Sequence, residues 1–139
     1  MGKVGKDDVV YDIGCGDGRM VITAAKKFGA KKGVGIDINP ELVTLCQKNA
    51  KEAGVGDKVE FKQGDALKIK DWSEASVVLL YLGDHLNKAL RPSLQKTLKP
   101  GSRIVSHRFK MGDWKPDVTQ EVEGHDYPIL LWTIKPAKK

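Results

Sequence analysis

The chain has 139 residues, of which 40% are hydrophobic, so we expect one core and a single domain over residues 1–139. No stretch reaches the roughly 18 uninterrupted apolar residues of a membrane span, and the start MGKVGKDD lacks a secretory apolar segment; we therefore expect a cytoplasmic protein without a membrane partner. The net charge is +6, but 20 of the 24 basic residues are scattered lysines, which makes nucleic acid a poor candidate partner.

In chain order, the first half alternates apolar runs with segments of helical periodicity. The predicted strands are residues 8–14, 31–38 and 58–66, and the predicted helices are residues 19–29 and 39–54. Asn39 and Pro40 indicate the start of the second helix, as its N-cap and first helical residue. Helical spacing places Val21, Ala24, Ala25 and Phe28 on one face of the first helix, and Leu42, Leu45, Cys46, Asn49 and Ala53 on one face of the second.

The second half continues the alternation and then changes. Residues 75–82 and 102–109 are predicted strands, with a helix over residues 84–98 between them. That helix has a stripe of Leu86, Leu90, Leu94 and Leu98, and Pro92 is expected to kink or divide it. After residue 110 only strand-like segments follow, TQEVEG and PILLWTIK, and their short connection predicts an antiparallel hairpin. The pattern indicates an α/β fold with a mostly parallel sheet, covered by helices on both faces.

The first predicted strand leads into the segment VVYDIGCGDGRM, residues 9–20. It contains three glycines spaced by two: Gly14, Gly16 and Gly18. Ligands of parallel sheets bind outside the carboxyl ends of the strands, and glycine lets a ligand approach the backbone closely. A dinucleotide fingerprint would need glycine where Arg19 stands, and the acids Asp12 and Asp17 would repel a pyrophosphate. The segment therefore favours a ligand that carries an ammonium or sulfonium charge.

These motifs resemble those of the class I, seven-stranded S-adenosylmethionine-dependent methyltransferases, over essentially the whole chain. The matching segments are D-I-G-C-G-D-G at 12–18, G-I-D-I-N at 35–39, G-D-A at 64–66 and L-K-P-G at 98–101. The resemblance implies a Rossmann-like, doubly wound, seven-stranded sheet, whose antiparallel seventh strand lies between the fifth and the sixth. It also implies S-adenosyl-L-methionine as cofactor and S-adenosyl-L-homocysteine as product.

The resemblance further implies roles for individual residues. Gly14 and Gly16 would approach the methionine portion, Asp12 would favour its ammonium group, Asp37 would accept both ribose hydroxyls, Ile38 would pack on the adenine, Asp65 and Ala66 would meet the adenine edge, and Tyr81 with Leu82 would line the methyl-transfer channel. For Asp37 and Asp65, the alternative is a purely local role as turn-capping acids.

The second half is similar to small archaeal protein-lysine methyltransferases and their mitochondrial relatives, over residues 17–19, 86–101 and 103–117. This similarity implies a protein lysine ε-amine as methyl acceptor, with Tyr81 and His107 as catalytic candidates. The segment Y-L-G-D after strand four differs from the Asn-Pro-Pro-Tyr/Phe pattern of enzymes that methylate nucleobase amines. An RNA or small-molecule acceptor, a weakly active cofactor-binding core, a binding-only module, a nicotinamide-dependent oxidoreductase and a nucleic-acid-binding protein remain alternatives.

Further expectations concern the two cysteines, two tryptophans and the segment ahead of strand one. Cys15 and Cys46 lie in different elements without metal-ligand spacing, so both are expected to be free thiols, and no metal site is expected. Trp114 is expected to cover the sheet edge, with a substrate contact as the alternative, and Trp132 is expected to lie in the core. Members of the archaeal branch usually carry a segment ahead of strand one; since strand one begins near residue 8 here, either a trimmed chain or a minimal core with an open site is expected.

Overall fold

A computed structural model describes residues 4–15, 18–69, 71–80, 84–107, 111, 114–120 and 129–134. Its strands are β1 Val9–Ile13, β2 Lys32–Asp37, β3 Val59–Gln63, β4 Val77–Leu80, β5 Arg103–His107, β6 Val118–Gln120 and β7 Ile129–Thr133. Its helices are α1 Arg19–Lys27, α2 Pro40–Glu52 and α3 Asp84–Thr97, with a short 3₁₀ helix at Ala66–Lys68.

The seven strands described form one sheet in the order β3-β2-β1-β4-β5-β7-β6. The first five are parallel, β7 runs antiparallel beside β5, and β6 runs antiparallel beside β7. The mostly parallel sheet, the terminal hairpin and the position of the last strand between the fifth and sixth are therefore confirmed. The turn predicted over residues 124–128 lies outside the described residues.

The α1 and α2 helices cover one face of the sheet. The apolar side chains of this layer are Cys15, Val21, Ala25, Val43, Cys46, Ala50, Val55 and Phe61. Asn39 caps α2 as predicted, since its side-chain oxygen accepts from the Glu41 amide at 2.9 Å and Pro40 follows it. The sequence therefore marked the start of α2 correctly.

The α3 helix covers the opposite face. Leu90, Leu94 and Leu98 are buried in a cluster that also contains Trp132, which confirms most of the predicted leucine stripe and the core position of that tryptophan. Leu86 is in the helix, but its side chain lies outside the described residues. Pro92 does not divide α3, which continues to Thr97.

Trp114 is half-buried and packs against β7, which lies beside the edge strand β6, so its expected role in covering the sheet edge stays a prediction. Its ring centroid lies 5.9 Å from that of Trp132, whose Nε1 donates to the Trp114 carbonyl at 2.9 Å. The Arg91 guanidinium lies 5.7 Å from the Trp114 ring centroid, a cation–π contact. These contacts fix the segment before β6 against the sheet.

Two side chains predicted on buried helix faces are exposed. Phe28 is 57% exposed because α1 ends at Lys27, so its side chain leaves the helix before the next turn reaches the sheet. Leu45 is 39% exposed because the buried stripe of α2 passes through Val43, Cys46 and Ala50. The spacing of the apolar residues indicated that both segments are helices, and the contact with the sheet determined which face of each helix is buried.

The amino ends of the central strands are joined by a polar network. The Asp8 carboxylate accepts from Ser76 Oγ at 2.8 Å, from the Gly5 amide at 2.8 Å and from the Arg103 guanidinium. Ser76 Oγ in turn accepts from the Val9 amide at 2.9 Å. These bonds connect the starts of β1, β4 and β5.

No helix in the described part of the chain has the length and apolar composition needed to cross a bilayer.

Candidate active site

A pocket of about 400 Å³ opens at the carboxyl ends of β1 and β2, on the face covered by α3. It is lined by Ile13, Gly14, Ile36, Asp37, Ile38, Gly64, Asp65, Ala66, Leu67 and Leu90. Ligands of open α/β sheets bind at this edge, where the strand order reverses about β1. Five of the residues named from the sequence, Gly14, Asp37, Ile38, Asp65 and Ala66, therefore line one pocket.

Asp37 is the last residue of β2 and is half-buried at the pocket wall. One of its carboxylate oxygens accepts from the Asn39 amide at 3.0 Å, so it takes the local turn role that was the alternative. A carboxylate has two oxygens and about four acceptor sites, so this bond is compatible with accepting hydroxyls of a ligand. The next residue, Ile38, is 68% exposed and presents an apolar side chain at the same wall.

Asp65 lies two residues after the end of β3. Its carboxylate caps the 3₁₀ helix by accepting from the Leu67 amide at 2.9 Å, and the Gly64 amide donates to the Asp37 carbonyl at 3.0 Å. The two acidic turns are therefore tied to each other by backbone. Leu67, which follows the G-D-A motif, is 46% exposed and lines the same pocket as Ile38.

The segment from Gly14 to Gly18, called the glycine loop below, follows β1. Its first residue, Gly14, has a φ of 75° and lines the pocket. A residue with a Cβ would be strained at this φ, and its side chain would narrow the approach to the backbone. The Gly14 and Cys15 amides donate to the Ile36 carbonyl at 2.8 and 3.2 Å. The loop is thereby anchored on the end of β2. Gly16 lies outside the described residues.

Asp12 does not line the pocket. It is 4% exposed within β1, between Gly35 of β2 and Leu79 of β4 in the register. Side chains alternate along a strand, so Asp12 shares the α1 face with Val10, whereas Ile13 lies on the α3 face. Its expected contact with an ammonium group therefore stays a prediction.

The floor of the pocket is apolar and was not identified from the motifs. Ile13, Ile36 and Leu90 are each at most 2% exposed and belong to the core beneath α3. The leucine stripe of α3 was the signal available for Leu90. It indicated a buried residue, and only the packing of α3 against β1 and β2 places that residue under a ligand site.

The acceptor side of the site is described in part. Tyr81 and the side chain of His107 lie outside the described residues. The residues that precede them in sequence, Leu80 and Ser106, pair in the register of β4 and β5. Ser106 and Asn87 of α3 are fully buried here, with Asn87 Nδ2 donating to Ser106 Oγ at 3.3 Å.

The half-buried acids Asp37 and Asp65 line the pocket. The exposed Lys26 and Lys27 form the last turn of α1, and the exposed Lys31 follows at the opposite edge of the sheet, where its amide donates to the Asp8 carbonyl. Among the described residues, no three His, Cys, Asp or Glu side chains are grouped to hold a metal ion.

These features fit a nucleoside that carries an amino-acid chain. The pocket volume lies within the usual 300–1,000 Å³ range of small-molecule sites. Its exposed aliphatic side chains suit the face of a base, its carboxylates suit hydroxyls, and the bare backbone at Gly14 suits close approach. S-adenosylmethionine has each of these parts.

Solved structures share this fold. The chain superposes with a TM-score of 0.92 on an RNA methyltransferase from Salinibacter ruber, crystallised with S-adenosyl-L-homocysteine, at 51% identity over 99% of this chain and 88% of that one. The protein is a Rossmann-like, S-adenosylmethionine-dependent methyltransferase. This class is defined by the strand order, by the pocket and by the similarity to the solved methyltransferase structure. The expected fold, enzyme class and cofactor are confirmed.

Sequence comparisons identify the family. The model of the ANTKMT methyltransferase domain matches residues 12–118. A protein-lysine N-methyltransferase of Saccharolobus islandicus (strain REY15A) is 45% identical over 134 residues, which are 95% of this chain and 83% of that protein. The adenine nucleotide translocase lysine N-methyltransferase of Mus musculus is 34% identical over 81% of this chain, which spans about half (48%) of its length. The chain belongs to the ANTKMT methyltransferase domain family.

Proposed function

We propose that the protein transfers methyl groups from S-adenosylmethionine to the ε-amine of lysine in a protein. The observation that supports this most directly is the 45% identity to a protein-lysine N-methyltransferase, because it extends over 95% of this chain and 83% of the relative. The mouse relative, also a lysine N-methyltransferase by name, supports the same acceptor.

The residues of the pocket hold the cofactor in this proposal. Asp37 accepts the ribose hydroxyls, Ile38 packs on the adenine, and Asp65 with the Ala66 backbone meets the adenine edge. Gly14 and Gly16 approach the methionine portion, and Asp12 stabilises its ammonium group through the field of a buried carboxylate. When bound, the cofactor supplies an electrophilic methyl group.

The acceptor amine has to be aligned and deprotonated. A lysine ammonium has a pKa of about 10.4 in water, so the site has to remove a proton before the nitrogen lone pair can attack. Tyr81 and His107 follow paired positions at the ends of β4 and β5, so they are the residues we propose for positioning the amine and accepting its proton. The buried Asn87–Ser106 pair stabilises the strand end on which His107 lies.

The charge distribution supports a cationic acceptor. A lysine that approaches this end of the sheet enters the field of the Asp37 and Asp65 carboxylates, and this field favours a cation over a phosphate backbone. The exposed lysines of α1 lie at the opposite edge of the sheet, where they would not guide RNA to the pocket.

RNA is the second candidate acceptor. One observation favours it: the Salinibacter ruber protein, at 51% identity and a TM-score of 0.92, is called an RNA methyltransferase. The two acceptors make opposite predictions for the same assay.

The experiment uses S-adenosylmethionine labelled on the methyl group. The wild-type protein is incubated separately with methylation-depleted cell proteins and with total RNA, and Asp37→Ala serves as a variant with impaired cofactor binding. We expect label in protein, released as methyl-lysine on acid hydrolysis, and markedly less with Asp37→Ala. Label confined to RNA, resistant to protease and removed by nuclease, would refute the lysine proposal and establish the second candidate.

A further inference from the structure

Two thiols that are far apart in sequence meet beneath the glycine loop. Cys15 follows Gly14 in the loop, Cys46 lies in the middle of α2, and their Sγ atoms are 3.7 Å apart. Both cysteines are buried, at 6% and 0% exposure, and neither is in a disulfide. The pair is therefore in van der Waals contact, with both side chains directed at each other.

The surroundings of the pair are tightly packed. A Cβ built on Gly18, at the end of the glycine loop, would lie 3.1 Å from Cys46 Sγ, and one built on Gly35 would lie 3.0 Å from Cys15 Sγ. Phe61 of β3 packs against the same two glycines. Because this cluster has little free space, a change in the distance between the thiols has to move the backbone around them.

We propose that Cys15 and Cys46 form a reversible disulfide, made by reaction with a hydroperoxide, which weakens cofactor binding by displacing the glycine loop. The cross-link itself does not depend on the function; its effect on the cofactor rests on the placement of the methionine portion at Gly14 proposed above. Nothing in the methyl-transfer reaction uses either thiol.

The chemistry balances with one hydroperoxide per pair. The thiolate of Cys15, next to the exposed Gly14, attacks one peroxide oxygen and releases hydroxide, or an alkoxide from an alkyl hydroperoxide, leaving a sulfenic acid. Cys46 then attacks that sulfur, the S–O bond breaks, and water leaves with the proton of the second thiol. Two thiols are oxidised by two electrons, and the hydroperoxide is reduced by two.

The geometry predicts the consequence for the loop. A disulfide needs an S–S distance of roughly 2.0 Å, so the two sulfurs have to approach by about 1.7 Å from their 3.7 Å separation. Cys15 is held to the Ile36 carbonyl next to Gly14, so this movement is transmitted to the pocket lining. Burial, and next the neighbouring Cys46, raise the pKa of the Cys15 thiol, so little thiolate is present and the reaction is slow.

The test compares reduced and peroxide-treated full-length protein. After hydrogen peroxide treatment and quenching, we expect an alkylating reagent under denaturing conditions to modify neither thiol. Peptide mapping should detect the peptides of Cys15 and Cys46 joined by a disulfide. We expect the affinity for S-adenosylhomocysteine to fall about tenfold and to be restored by dithiothreitol, which does not reverse methionine oxidation.

Cys46→Ala is the matched control, because it keeps Cys15 but cannot form the cross-link. Its affinity, compared before and after peroxide, should not change; an equal loss in this variant would refute the disulfide as the cause. Two thiols that stay alkylatable in peroxide-treated wild type, or a disulfide without loss of affinity, would overturn the proposal. Peptide mapping tests the disulfide without any cofactor. If the reduced protein fails to bind S-adenosylhomocysteine, the proposed cofactor placement is refuted, whatever the mapping shows.

Discussion

The side of the sheet at which β1 to β5 begin is called the amino edge, and the side at which they finish is called the carboxyl edge. The two differ in how their polar groups are used. At the amino ends, Asp8, Ser76 and Arg103 bond to one another and connect three strands. At the carboxyl ends, Asp37 and Asp65 each accept from an amide two residues further along, and they border a pocket. The first arrangement joins distant parts of the chain, and the second leaves carboxylates at a solvent-accessible wall.

This difference separates stability from binding. Polar groups that are paired across strands stabilise the sheet, while acids that accept from an amide two residues further along are oriented by a short turn. The following substitutions address one edge at a time, so each should change either the free energy of unfolding or the affinity for cofactor.

The largest effect is expected at the amino edge. Arg103→Met should lower the free energy of unfolding by about 3 kcal/mol, because it leaves the partly buried Asp8 carboxylate without its cation. Urea unfolding measures this, with the exposed Lys96→Met as a matched control that should stay within about 0.5 kcal/mol of wild type. The folded variant should bind S-adenosylhomocysteine as the wild type does; a large loss of affinity would mean that the edges are coupled.

At the carboxyl edge, Asp37→Ala should weaken S-adenosylhomocysteine binding about thirtyfold, or about 2 kcal/mol, since it removes the proposed charge-assisted hydrogen bonds to the ribose. Its free energy of unfolding should change by less than about 1 kcal/mol, because the Asn39 amide that it bonds is exposed. Calorimetric titration measures the affinity, with the exposed Asp57→Ala as control. Unchanged affinity in Asp37→Ala would remove this residue from the binding site.

The stability supplied by the amino edge should depend on pH. Burial alone would raise the pKa of Asp8, but hydrogen bonds from Ser76, the Gly5 amide and Arg103 together lower it below its usual value. A carboxyl with a lowered pKa in the folded state stabilises the fold above its unfolded pKa of about 3.9, and this contribution is lost as pH falls through the folded pKa.

The matched variant for this prediction is Asp8→Asn. It should be about 1–2 kcal/mol less stable than wild type near neutral pH, and the difference should shrink as pH falls below about 4. Urea unfolding at several pH values gives the difference directly. A difference that grew on acidification would contradict the lowered pKa.

The smallest effect is expected for a surface pair. Glu74 accepts from Lys32 Nζ at 3.0 Å, but the two side chains are 52% and 39% exposed. Glu74→Gln should therefore change the free energy of unfolding by no more than about 0.5 kcal/mol, and less at high salt. A loss comparable to that of Arg103→Met would show that exposure does not distinguish these two ion pairs.

The sequence predicted the parts of the molecule that depend on local pattern. Asn39 with Pro40 was identified because helix starts have a local signature, and Asp37 and Asp65 were identified because their motifs resemble those of the methyltransferases. The prediction that Leu45 lies on the buried face of α2 was wrong, since the face that is buried depends on how α2 packs on the sheet. The spacing of apolar residues alone does not give that contact.

Contacts between distant residues were not predictable in the same way. Cys15 and Cys46 are 31 positions apart, and Asp8 and Arg103 are 95 apart. Their meetings follow from the strand order and from the face on which each helix packs. Leu90 is similar: the stripe indicated that it was buried, and the fold placed it beneath the pocket. Domain organisation and the roles of Tyr81 and His107 stay predictions.

The central claim is that the carboxylate-lined edge binds a nucleoside with an amino-acid chain rather than a pyrophosphate. Competition titration of the reduced wild-type protein with S-adenosylhomocysteine and NAD tests it most directly. We expect S-adenosylhomocysteine to saturate one site, and NAD at a hundredfold excess to leave that binding unchanged. Displacement by NAD, or no binding of S-adenosylhomocysteine, would contradict the account.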